Sequence, residues 1–228
     1  MYRFIFTIRI LIGLFIKISL TITIIYAILP VIITPPMIIK TFSSLFTSEP
    51  VLVKQCWVSY DNISKNFFRA VIAAEDGQFM SHNGIDWRAL NNAIRYNKIH
   101  KGKKKRGAST ITMQTAKNTF LYLGRDYFRK ALEIYFTYLI EPLWGKKRIL
   151  EVYANVIEFG KDIYGVQLAS KRYFNKDANQ LTIREASLLA AVLRNPNIWN
   201  PTRPTKYILK RTAFIQDRMG GIRLPKNY

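Results

Sequence analysis

The chain has 228 residues, room for a membrane anchor and one globular domain with its own core. A hydrophobic content of 49% with 14% aromatics excludes a disordered protein. Lys and Arg outnumber Asp and Glu by 35 to 14, a net charge of +21, which calls for anionic partners such as nucleic acid or phosphate-bearing lipid. The one cysteine, Cys56, rules out an internal disulfide and a Cys-built metal cage.

At the N-terminus, Ile18 to Ile33 carries no charge, and extension back to Ile10 adds only Lys17. That run of about 24 residues is enough to cross a bilayer with some tilt. Arg3, Arg9 and Lys17 all precede the uncharged stretch, so the positive-inside rule places the first residues in the cytoplasm and the remainder outside it. No small-x-small cleavage pattern follows, which favours a retained single-pass anchor over a cleaved signal peptide. Pro30, Pro35 and Pro36 mark the exit. A protein tethered in this way meets phosphate mainly in lipid head groups and lipid-linked sugars, so membrane lipids are expected partners and nucleic acid is not. The expected division is 1–36 for the cytoplasmic start and anchor, 37–62 for an aromatic linker with Trp57 and Tyr60, and 63–228 for a mostly α-helical domain.

The domain opens with a helix over 64–76, in which Phe68, Val71, Ile72 and Glu75 fall at i, i+3, i+4 and i+7. Glu75 is thus an acid on an apolar face, near the helix C-terminus marked by Gly77. Burial and the helix dipole both disfavour its ionised form, as a general acid or base requires. A core Glu paired with an Arg is the other reading of the same pattern. The stretch 75–86 that follows gathers Glu75, Asp76, His82 and Asp86 with turn glycines. Next comes the densest basic run, Arg95, Lys98, Lys101, Lys103, Lys104, Lys105 and Arg106, which reads as a solvated loop that would also attract anionic head groups.

Helical from Ser109, the segment 107–118 places Thr110, Gln114 and Lys117 on one polar face, suited to sugar hydroxyls and phosphate oxygens or simply exposed to solvent. A strong helix spans 128–138, with Arg129 and Glu133 as an i, i+4 pair, and Pro142 and Gly145 punctuate it. A further helix covers 147–156, where Glu151 and Asn155 would hold neighbouring elements. The last, 182–193, opens with a capping box of Thr182 and Glu185 and stops at Asn195-Pro196.

In this order the stretches resemble the peptidoglycan glycosyltransferase family over roughly 60–201. Glu75, Asp76, Phe79, His82 and Gly84 match its Glu-Asp-x-x-Phe-x-x-His-x-Gly motif. Gly107, Ser109, Thr110, Gln114, Lys117 and Asn118 match the second motif, with Met113 where the family usually has the first of two glutamines. Arg129, Lys130 and Glu133 meet the third; Lys146, Ile149, Leu150, Glu151, Tyr153 and Asn155 meet the fourth; a later Gly-Val-x-x-Ala pattern runs from Gly165 to Phe174.

The resemblance implies a lysozyme-like helical domain with a small membrane-facing lobe, anchored in the bacterial inner membrane. It also implies polymerisation of lipid II onto a growing glycan strand in β-1,4 linkage, with inversion and release of undecaprenyl pyrophosphate. Glu75 and Glu133 would be the catalytic acids. Asp76, Phe79, His82, Ser109, Thr110, Gln114, Lys117, Asn118, Arg129 and Lys130 would contact substrate or shape its site, and Gly84, Glu151, Tyr153 and Asn155 would be structural. A divalent cation (Mg or Mn) at the pyrophosphate is compatible with Glu133. With about 27 residues after Pro201 and no Ser-x-x-Lys or Lys-Thr-Gly sequence, the chain matches the monofunctional biosynthetic form of the family, without a transpeptidase domain. Partners from the cell-wall elongation or division machinery are expected. The rival readings are a lytic enzyme of lysozyme-like fold and a non-catalytic membrane-tethered scaffold.

Overall fold

A computed structural model of the protein describes residues 2–46, 55–101, 106–124 and 126–225. Lys103, Lys104 and Lys105 of the basic run lie outside them, as do residues 47–54 in the expected linker.

Helix α1 (Tyr2–Ile28) is the one helix among the described residues long and apolar enough to cross a membrane. It begins before the predicted stretch and ends earlier, because Pro30 holds the residue before it out of the helical region. The expected linker contains most of a further helix, α2 (Pro35–Ser44), with Thr34 at the N-cap position, making no side-chain capping bond, and the two prolines in its first turn. Proline there surrenders a backbone N–H that would have had no partner, so Pro35 and Pro36 start a helix as well as ending the anchor.

The domain is built around α3 (Lys65–Glu75), whose N-cap Ser64 accepts from the Asn66 amide. Its burial is wider than one stripe: Phe67, Phe68, Ala70, Val71, Ile72 and Ala73 are all buried. This helix runs through the middle of the core, packed against α8 (Ile183–Val192) and α9 (Lys206–Met219). Helix α4 (Trp87–Ile99) is capped by Asp86 and stays largely at the surface. Helix α5 (Ile111–Phe120) packs along α6 (Tyr127–Val156). Gly145, with φ 64° and ψ 170°, breaks α6 into two segments where the sequence punctuates it, while Pro142 is accommodated within the first. A two-stranded antiparallel hairpin, β1 (Glu158–Gly160) with β2 (Ile163–Tyr164), leads into α7 (Val166–Phe174).

Two side chains stitch residues 55–60 onto the second segment of α6. Fully buried Asn155 accepts from the Val58 amide at 2.9 Å and donates to the Val58 carbonyl at 2.8 Å. Glu151 accepts from the Tyr60 amide and, on its other oxygen, from Arg148. Gly165 caps α7 at φ +82°, and a Cβ there would stand 2.8 Å from the Asn155 carbonyl oxygen, so both conformation and contact require glycine.

The anchor is fastened to this domain. The Ser19 and Tyr135 hydroxyls lie 2.7 Å apart, and the Trp144 indole donates to the Thr23 carbonyl at 2.8 Å. Arg148 donates to the carbonyls of Tyr26 and Leu29 at the helix end, where unpaired carbonyls and the negative dipole favour a cation.

Candidate active site

Glu75 is the last residue of α3, and its side chain is 14% exposed. Gln114 Nε2 donates to one carboxylate oxygen at 3.2 Å, and Arg211 Nη2 donates to the other at 3.1 Å. Burial raises the carboxyl above its ordinary range, against the opposing pull of Gln114, Arg211 and Arg194; Asp76 adds a smaller upward push. The two readings of the sequence therefore meet: Glu75 is paired with an arginine, and it is also a carboxyl that holds a proton more readily than an exposed one. The hydroxyl of fully buried Tyr153 feels Glu75 and Asp76 as well, and burial first of all drives it well above the usual phenol range. It is a neutral neighbour.

The loop after Glu75 is pinned by its own side chains. Asp76, buried at the helix C-cap, lies 3.0 Å from His82 Nε2 through each oxygen and accepts from the Ile111 amide at 2.9 Å. It thereby ties the loop to the N-terminus of α5, where a carboxylate is favoured. Lys146, just past the Gly145 break, donates to the His82 carbonyl at 2.7 Å and sits over the Phe79 ring at 4.4 Å. Gly84, at φ +86°, presses against Thr137, and an added Cβ would stand 2.8 Å from a Thr137 methyl.

An open cleft of about 460 Å³ lies on the far side of Gln114. Gln114, Lys117 and Asn118 of α5 line it, together with Tyr122 to Gly124 in the turn that follows. The opposite wall is Leu193 to Asn197 after α8, with Arg194 among them, and Pro36, Ile157 and Glu158 complete it. Glu75 reaches the cleft through Gln114 and is not itself in the lining.

Several expected site residues stand elsewhere. Thr110 is the N-cap of α5, 3% exposed, donating to the Gly84 carbonyl at 2.5 Å and accepting from the Met113 amide at 3.1 Å. The helix starts one residue later than a polar face including Thr110 requires, so its hydroxyl is spent on the backbone and not on a sugar. Phe79 is fully buried in the core. Asp76 and His82 bind each other, and Asp76 also accepts from the Ile111 amide, an arrangement that pins the loop after Glu75. Ser109 is exposed one residue before the cap, outside the cleft lining. Met113 is 5% exposed and turned into the core, so its replacement of the family's glutamine leaves Gln114 untouched.

Glu133 is 3% exposed, and its two oxygens take Arg129 Nη1 at 2.6 Å and Lys130 Nζ at 2.7 Å. It orients these cations near the start of α6, which follows the cleft residues Tyr122 to Gly124 in the chain. Asp126, which caps α6 and accepts from the Tyr122 hydroxyl at 2.8 Å, connects the two. With both oxygens engaged by cations, Glu133 does not fit a divalent ion. Among the described residues no group of three or more His, Cys, Asp and Glu side chains gathers to hold one.

Arg211 and Arg194 were missed from sequence. Arg211 carries a readable signal, since Ile208, Arg211, Thr212 and Ile215 repeat the i, i+3, i+4, i+7 pattern that exposed Glu75. Arg194 sits at the chain crossing after α8, where tertiary packing and not local pattern brings it to the cleft.

A family model described as Transglycosylase matches residues 44–220. The chain is 48% identical over 206 residues to a biosynthetic peptidoglycan transglycosylase of Bdellovibrio bacteriovorus, covering 90% of this chain and 82% of that protein. It is 46% identical over 192 residues to the protein of that name from Bacteroides thetaiotaomicron, covering 84% and 77%. With the Pseudomonas fluorescens protein of that name, identity is 40% over 204 residues, covering 90% and 84%.

Proposed function

The chain belongs to the transglycosylase family, and from that premise we propose that it polymerises lipid II into glycan strands with Glu75 as general base. The observation that supports this reading is a mostly buried carboxylate, held by Gln114 at the edge of a cleft containing Lys117 and Arg194.

In the reaction, Glu75 takes the proton of the acceptor sugar's 4-hydroxyl as that oxygen attacks the anomeric carbon of the donor strand. The new C1–O4 bond forms while the bond from C1 to the pyrophosphate oxygen breaks, and the leaving group carries away the electron pair. Attack opposite the leaving group turns an α linkage into a β linkage without a covalent enzyme intermediate. A carboxyl raised by burial suits the first half, because proton uptake relieves the cost of a charge held out of water. Lys117 and Arg194 suit the second half, as fixed cations for charge building on the departing phosphates. Arg129 and Lys130, set by Glu133, extend that positive field toward the end of the cleft. Positioning of the base falls to Gln114, and no step is routed through a metal. Arg3, Arg9 and Lys17, which precede the uncharged stretch of α1, support a cytoplasmic N-terminus and a catalytic domain outside it.

Incubation of the purified protein with lipid II and, separately, with finished glycan strands tests the assignment. Polymer from the first and no cleavage of the second is expected; strand cleavage without polymer overturns it.

A further inference from the structure

Helix α9 carries a second pattern beside its buried stripe. Tyr207, Arg211, Phe214 and Arg218 fall at i, i+4, i+7 and i+11, so they form one line along the helix, about 16 Å long. Tyr207 and Phe214 are 53% and 51% exposed, whereas the Arg211 side chain between them is mostly buried where it holds Glu75. The Arg218 guanidinium lies 5.0 Å from the Phe214 ring centre and reaches toward the loop after Glu75, where a Cβ at Gly77 would meet it at 3.8 Å. Trp199, packed on the core, meets the Tyr207 ring at a centre-to-centre distance of 5.4 Å.

Scattered exposed apolar side chains need no explanation, but these rings are in register with the arginine that touches the base. Rings and guanidinium groups in one line suit a polymer that offers both flat C–H faces and carboxylates. The negative face of a ring packs on the C–H face of a sugar, and a guanidinium takes a carboxylate. A repeat of disaccharide and peptide has both. The line also lies where such a polymer leaves. In the reaction above, the reducing end of the donor strand has its phosphates at Lys117 and Arg194, in the cleft on the Gln114 side of Glu75; Arg211 holds the other carboxylate oxygen. Pro36, close to the anchor in the chain, lines that cleft, and α1 packs on α6, while α9 packs on α3 and α8. The water-soluble body of the strand therefore departs over α9, away from the anchor.

We propose that the line on α9, with Trp199 beside its first ring, is an exit track that holds the growing glycan strand between additions. Each addition passes the strand to the acceptor's pyrophosphate, so its ionic hold on Lys117 and Arg194 is lost at every turnover. Sugar rings stacked on Tyr207 and Phe214, and a peptide carboxylate on Arg218, keep the strand in place until the new reducing end enters the cleft. The strength of the track then sets how many additions precede release, and so the length of the product. The glycan contact itself depends only on α9 and Trp199; its effect on strand length rests on the lipid II reading above.

The test titrates the full chain in detergent with a lipid-free fragment of two disaccharide-peptide repeats, read by calorimetry, and measures product length from lipid II on gels. Tyr207→Leu with Phe214→Leu keeps apolar bulk and removes the flat faces, and the Tm of each sample checks folding. The double variant is expected to bind the fragment at least about tenfold more weakly and to make strands at least about threefold shorter. Phe214→Tyr, which keeps the ring, is expected to retain affinity and length. Leu209→Ala, exposed on another side of α9, is expected to stay within about twofold of the parent in both. A parent that does not bind the fragment, or equal weakening by Leu209→Ala and the double variant, overturns the track. Unchanged strand length in a double variant that has lost affinity overturns its role in retention. Binding needs no turnover, so a parent that binds the fragment and forms no polymer supports the track and contradicts the functional reading alone.

Discussion

Replacement of Arg211 by glutamine separates the tuning of Glu75 from its mere presence. The Arg211 side chain is 9% exposed and that of Glu75 14%, with 3.1 Å between donor and acceptor. Loss of one partner of a buried pair strands the other, typically at 3–5 kcal/mol, and the lower end of about 3 kcal/mol fits a pair that still touches solvent. For a chain of this size that is a fall in Tm of about 6–12 °C near neutral pH. The pH dependence follows from the direction of the Glu75 shift. Burial holds its carboxyl above the unfolded value, so the associated stability is complete below the unfolded pKa and disappears as pH rises through the folded one. Arg211 pulls that folded value down, with Arg194 and Gln114 pulling the same way and Asp76 the opposite way. Its removal lifts the folded value further, so the Tm deficit widens with rising pH and narrows in acid. The acid limb of the polymerisation profile, where the base becomes protonated, moves to higher pH. Thermal unfolding in detergent across a pH series, together with the pH dependence of kcat/KM for lipid II, checks both effects. A pH-independent Tm deficit with an unmoved acid limb refutes the reasoning; Arg211→Lys, which keeps the charge, is expected to restore the limb in large part.

Lys117→Ala and Arg194→Ala each remove a cation from the cleft wall and are expected to lower kcat/KM about 10- to 100-fold, the range for one charge-assisted hydrogen bond to phosphate. Steady-state kinetics on lipid II measures it, and a change within twofold at both positions contradicts the phosphate assignment. Gly165→Ala places a methyl 2.8 Å from the Asn155 carbonyl oxygen at a φ of +82°. We expect a loss of about 2–3 kcal/mol in stability, read by denaturant unfolding, with any folded fraction retaining normal KM.

The sequence carries Glu75 clearly because a single acid in phase with Phe68, Val71 and Ile72 has few structural explanations. Helices α3, α6 and α8 were legible for the same reason, their apolar spacing and caps agreeing with the tertiary packing. Thr110 shows the limit of that logic: one residue of uncertainty at a helix start turns a ligand-facing hydroxyl into an N-cap buried against Gly84. Phe79, Asp76 and His82 show another, since a shared motif does not tell that Phe79 is fully buried or that Asp76 and His82 bind each other. Helix α2 was hidden by its prolines, which read as the end of the anchor although Thr34-Pro35-Pro36 is also a helix start. The cleft wall at Arg194 and Glu158 was not legible at all, because it exists only where separate chain segments meet.

The central claim, that Glu75 is the base of a polymerase, is tested most directly by the rate of lipid II polymerisation in Glu75→Gln, with the Tm of the same sample as a check on folding. A neutral amide keeps the size of the side chain and a hydrogen bond to Gln114 but cannot take the acceptor proton. The account predicts a fall of about 10²- to 10⁴-fold in kcat in a protein that remains folded. A folded Glu75→Gln protein that makes polymer within about threefold of the parent rate, well short of the loss of a general base, contradicts it.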